Sequence, residues 1–101
     1  MQIIELNGQN WRSKQDFYDA LASALGSVEW HGRNADAFLE TMVYTLELNR
    51  VQPPYEVNIH HAPDELQPFL TDFASWVEEA CQDRLDDPNW GDAVEVRITL
   101  A

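Results

Sequence analysis

Residues 30–49 read W-H-G-R-N-A-D-A-F-L-E-T-M-V-Y-T-L-E-L-N, and this stretch decides how the rest of the chain is understood. Trp30 and His31 lead into Gly32, where the chain can turn. Asn34 is placed as a helix N-cap, because its side-chain oxygen can accept from the free amides of a first turn. Asp36 then falls in that turn, where the positive end of the helix dipole favours a carboxylate. Phe38, Met42 and Leu46 recur every four residues and predict the buried stripe of a helix from Asn34 to about Leu48. On that helix Asp36, Glu40 and Glu47 share another face, with Tyr44 beside them and no Lys or Arg to neutralise them. A helix that carries its own repulsion points to a use for those charges outside the fold.

The flanking segments alternate between strands and helices. Ile3, Ile4 and Leu6 form a short apolar run, Gln2–Leu6, which predicts a strand buried on both faces and a turn at Asn7-Gly8. Ser13 and Asp16 start a helix whose stripe is Phe17, Leu21 and Ala24 or Leu25, with Gly26 placed to end it. Ser27–Arg33 is the loop that delivers Trp30 and His31, and Pro53-Pro54 stops any helix that precedes it. Tyr55, Val57 and Ile59 alternate with Glu56, Asn58 and His60, the pattern of a strand with unlike faces. Pro63-Asp64-Glu65 opens a helix that Pro68 kinks or restarts, followed by an amphipathic stretch of Phe69, Phe73, Trp76, Val77 and Ala80. Asp86–Ala93 is a loop, with Trp90 expected to dock on the core, and Val94–Leu100 alternates again as a last strand. Strands separated by helices imply parallel pairing through right-handed crossovers, hence a small three-stranded parallel sheet in one α/β domain, residues 1–101.

Composition removes several classes of function. The net charge is −12, which repels the phosphates of nucleic acid and anionic membrane surfaces alike. The same charge favours a basic partner and speeds encounter with one. A single cysteine, Cys81, excludes an internal disulfide, and its place beside the apolar stripe suits a small core residue. His60 and His61 are adjacent on a strand and point to opposite faces, so they make a poor metal pair, and neither a metal nor another cofactor is expected. No phosphate-binding glycine loop, nucleophile elbow or Cys-x-x-Cys appears, and no basic-then-apolar leader opens the chain. The expectation is a cytoplasmic protein that is monomeric when free and is not an enzyme.

The run Trp30, His31, Gly32, Asn34, Asp36, Ala37, Phe38, Leu39 and Glu40 resembles the barstar family of ribonuclease inhibitors, whose pattern is an aromatic pair, Gly-x-Asn-x-Asp-Ala, a hydrophobic pair and an acid. The resemblance extends more weakly over nearly the whole chain. It implies the sheet order 1-2-3 packed with three to four helices. It also implies contact roles for Trp30, His31, Gly32, Asn34, Asp36, Leu39 and Glu40, and for Glu79 as a second acidic position, and Tyr44, on the same helix face as the acids, is a further candidate contact. Three residues depart from the usual pattern: His31 as second aromatic, Leu39 where a large aromatic is common, and Glu40 in place of Asp.

Each of these positions has a plainer reading. Asp36 and Glu40 suit a solvated helix face, and a catalytic carboxylate pair on a convex face lacks the enclosure such pairs need. Trp30 fits a core residue or an interface anchor equally well. His31, next to Gly32, is expected at the surface, Asn34 serves first as a cap, and Glu79 fits an ordinary solvated acid nearly as well as a contact. The expected function is an inhibitor or immunity protein that fills the active site of a basic ribonuclease or related toxin. The alternative is a regulatory or scaffold domain of the same fold with another basic partner.

Overall fold

Alternation builds the sheet, and the computed structural model, which describes all 101 residues, shows where each face goes. The central strand β2 (Tyr55–His60) buries Tyr55, Val57 and Ile59 under the helices. β1 (Gln2–Asn7) pairs with it in parallel, Ile4 opposite Val57, and β3 (Val96–Leu100) pairs on its other side, Ile98 opposite Val57. The sheet order is β1-β2-β3. Helices α1 (Lys14–Leu25), α2 (Ala35–Leu39) and α3 (Gln67–Asp86) complete the α/β architecture. α3 begins after a 3-10 turn, Asp64–Leu66, with Pro68 in its first turn, so the proline restarts the helix and does not kink it.

The strand expected to be buried on both faces is not. Ile3 is 49% exposed and Glu5 is exposed, while Leu6 is buried. The opposite face of the sheet is open, and polar groups occupy it: Glu5 pairs with His60, Asn58 donates to Glu5, and Thr99 donates to Glu56 at 3.0 Å. The apolar run at the start of the chain reflects strand propensity at an edge more than burial.

Between helices and sheet lies an aromatic core. Phe17, Phe38 and Phe73 are fully buried, Tyr18 stacks on Phe38 at 5.6 Å, and Trp11 meets Phe17 edge-on. A Cβ at Gly8 would lie 2.8 Å from the Trp11 ring, so the close approach of that ring needs a glycine. Gly26 ends α1 in the left-handed region (φ 65°), as a C-terminal glycine does.

The long central helix is the second correction. The α-helix stops at Leu39, one turn of π-helix spans Glu40–Tyr44, and Thr45 (φ −91°, ψ 67°) breaks away into a 3-10 turn, Leu46–Leu48. Thr41, Val43 and Thr45 are β-branched on alternate positions, which weakens the α-helix there. Phe38 and Met42 are fully buried as the stripe requires, but Leu46 is only half-buried because the four-residue period ends before it.

Asn34 caps α2, its Oδ1 accepting from the Ala37 amide at 2.9 Å. Replacing it with alanine should cost about 1 kcal/mol, or about 4–8 °C in melting temperature, whereas Asn34→Gly should cost only a few tenths. Thermal denaturation of the two variants checks this, and an Asn34→Ala protein that melts with the wild type would show that the cap contributes nothing.

Candidate functional site

The site begins with a loop fixed at both ends. Val28 N–H donates to the Leu48 carbonyl at 3.1 Å, Arg50 N–H to Gly26 at 3.2 Å, and the Ser27 hydroxyl to Asn49 Oδ1 at 2.5 Å. His31 is buried, contrary to its expected exposure. Its ring lies 4.6 Å from Phe38, and its Nε2 meets Thr41 Oγ1 at 2.8 Å. Thr41 Oγ1 also lies 3.4 Å from the Phe38 carbonyl, and the buried Nδ1 of His31 has no partner in the chain. His31 therefore anchors the loop, and the Trp30 indole beside it is turned out to 74% exposure. Gly32 sits against the first turn of α2, where a Cβ would come within 3.2 Å of Ala37.

α2 and α3 then form a groove of about 360 Å³, lined by Asp36 and Leu39 from one helix and by Trp76, Glu79 and Asp83 from the other. It contains three carboxylates and no cation. Asp83 also faces the next cluster: partial burial raises the Tyr44 phenol pKa, and the nearby charges of Asp83, Asp87 and Glu40 raise it further. One acidic surface thus runs from Asp36 through Asp83 to Glu40 and Tyr44. Glu40 is exposed and accepts from the Thr45 hydroxyl at 2.7 Å. Glu47 stands apart, because the helical period that aligned it with Asp36 and Glu40 ends at Thr45.

The nearby cations are already engaged. Arg33 pairs with Asp19 of α1 at 2.8 Å. Arg84 is buried and donates Nε and Nη2 to the two Asp92 oxygens, each at 3.0 Å, and Nη1 to the Val43 carbonyl, one of the acceptors freed where the helix ends. Its guanidinium also lies 4.5 Å from the centre of the Trp90 ring. Trp90 meets Tyr44 edge-on at 5.6 Å yet stays 47% exposed, so the loop aromatic docks on one side only.

The structure therefore brings Asp36, Leu39 and Glu79 into one groove and sets Glu40 and Tyr44 beside it, with Asn34 engaged as the cap. Asp83 and Arg84 were not singled out from sequence. Asp83 lies one helical turn after Glu79, a spacing that could have revealed it. Arg84 left only the weak signal of one cation in an acidic run, D-R-L-D-D. No group of three or more His, Cys, Asp or Glu side chains is arranged to hold a metal ion, and no helix is long and apolar enough to cross a membrane.

The family model for Barstar (barnase inhibitor) matches residues 1–100, and the chain belongs to the barstar family. No curated protein matches it significantly.

The Arg84 pair carries a pH dependence. The hydrogen bonds from Arg84 hold the Asp92 carboxyl below the usual carboxylate range. A carboxyl lowered in the folded state contributes stability above its unfolded pKa and loses it as pH falls through the folded value. Acidification below the usual carboxylate range should therefore release the Asp92 loop. The difference in tryptophan emission between the wild type and Trp90→Phe should change there and stay flat between pH 6 and 8. Asp92→Asn should abolish the transition.

Proposed function

We propose that this protein inhibits a basic ribonuclease or related toxin by covering its active site with the surface that runs from Trp30 to Glu40, Tyr44, Glu79 and Asp83. The observation that carries this reading is a groove lined by Asp36, Glu79 and Asp83 whose neighbouring arginines are already paired, so the carboxylates face outward without internal partners. A nuclease cleft holds phosphates with Lys, Arg and His. Carboxylates spaced along a rigid surface can occupy those phosphate positions. Trp30, Trp76 and Trp90, exposed by 74%, 39% and 47%, would supply the aromatic anchors common at interface hot spots. His31 acts here as the fixing residue behind Trp30 and not as a direct contact. The reading assigns the protein a cytoplasmic place, no cofactor and no hydrolytic step of its own.

The partner is found by retaining proteins from the source cell on the immobilised chain and identifying them by mass. Recovery of a basic nuclease supports the proposal, and recovery of a basic protein without nuclease activity favours a regulatory or scaffold role. Association with the partner should slow steeply as salt rises, because screening removes the steering that a −12 chain provides. Rates that are flat across a salt series would count against electrostatic inhibition.

Glu40→Ala separates function from fold. Loss of the exposed Thr45 hydrogen bond and relief of repulsion with Asp36 are small and opposed, so free stability should stay within about 0.5 kcal/mol. In the complex the variant leaves partner cations buried without a counter-charge, at a cost on the order of 2–5 kcal/mol, or about 30-fold or more in affinity. A variant that melts several degrees lower yet inhibits fully would make the acidic surface structural and remove the basis of the proposal.

A further inference from the structure

The ladder between β2 and β3 leaves one edge of the sheet unpaired. It begins with the Tyr55 amide donating to the Glu95 carbonyl and ends with the Ala101 amide donating to Ile59. In a parallel ladder alternate residues turn to the same neighbour, so Arg97 and Thr99 also bond β2, and Val96, Ile98 and Leu100 turn their N–H and C=O groups outward. No strand lies beyond β3, and only the Cys81 thiol approaches the Val96 carbonyl, at 4.0 Å.

α3 makes its principal strand contact with β3, and its Thr71, Ala74, Ser75, Glu78, Gln82 and Leu85 face this edge. Beneath it is a groove of about 660 Å³, larger than the acidic one. Ala74 and Ser75 keep it open, and Cys81, Ile98 and the 44% exposed Leu85 give it apolar walls. Burial pushes the Cys81 thiol pKa up, which suits a wall and not a nucleophile. Two acids, Glu78 and Glu95, and one cation, Arg97, mark the rim.

We propose that the free edge of β3, beneath α3, is a docking site for an extended, Lys- or Arg-bearing segment of a partner protein that joins the sheet as a fourth strand. Backbone bonds to Val96, Ile98 and Leu100 hold the segment, and its alternate apolar side chains enter the groove under Ala74 and Leu85. A second copy of the chain does not fit. Each copy carries −12, so two copies would repel across this edge, whereas a cationic segment complements Glu78, Glu95 and the surrounding charge. This site uses none of the residues of the acidic groove and stands independently of the inhibitor reading.

The test titrates an acetylated, amidated peptide of four Val-Lys repeats into the labelled protein. Binding should saturate, shift the amide resonances of Val96, Ile98 and Leu100, and slow their hydrogen exchange by about tenfold or more. The same peptide N-methylated on alternate residues, unable to complete the ladder, should not do so. Ile98→Pro removes one outward donor and leaves the β2 ladder intact, so it should weaken binding by at least about tenfold. If that variant fails to fold, the N-methylated peptide decides. Equal binding of the N-methylated peptide, or shifts confined to Asp36, Glu79 and Asp83, would overturn the proposal. So would protection of the three edge amides that grows with protein concentration in the absence of peptide, since a second copy would then occupy the edge.

Discussion

A buried guanidinium ties together parts of this molecule that have no other reason to move as one. Arg84 leaves α3, reaches the Val43 carbonyl at the end of the π turn, clamps Asp92 across the following loop and lies against Trp90. Removing a charged group from water costs several kcal/mol unless hydrogen bonds and a counter-charge offset it. Here both are present, and Asp92 keeps most of its own contact with solvent. The helix break, the 86–93 loop and the acidic groove therefore share one support. Without Arg84 the Val43 acceptor would be buried and unpaired, and Trp90 would lose one of the two side chains it rests on.

The second constraint is the single helical layer. With all three helices on one face of a three-stranded sheet, the other face must meet water. Parallel sheets are usually covered on both faces. This one manages with Glu5, Asn58, His60, Glu56 and Thr99 bonded to one another across the open side. Acids on that face have partners, whereas those lining the α2–α3 groove do not. The three carboxylates of that groove are thus left free for the cationic partner proposed above.

Much of this was legible in the residues. Period-two alternation placed β2 and the core of β3, and Asn34 announced its cap. Two features were hidden for physical reasons. Burial of His31 depends on a hydroxyl ten residues away and on the Phe38 ring, neither of which alters the local signal of an aromatic pair before a glycine. One partner of Arg84 lies 41 residues earlier and is a backbone atom, which carries no side-chain identity to read. The helix break was partly legible: alternate β-branched residues at Thr41, Val43 and Thr45 were visible, but the four-residue spacing of Phe38, Met42 and Leu46 outweighed them. The groove was the least accessible, since it depends on the distance between two helices that no pattern within either one specifies.

The irregular backbone from Glu40 to Leu48 follows from the same conflict. A continuous α-helix would have placed Asp36, Glu40, Tyr44 and Glu47 along one face and kept every backbone bond, at the cost of repulsion along the row. The π turn widens the helix at Glu40, and the break at Thr45 gives that carboxylate a hydroxyl donor while removing Glu47 from the row. Carbonyls freed by the break would be costly if buried alone, and the Arg84 guanidinium and the Asn49 and Gln52 carboxamides take several of them. The segment gives up helical regularity, keeps its polar groups satisfied, and holds Glu40 at the surface beside Tyr44. Departures of this kind gather at functional sites, where local regularity yields to the placement of particular groups.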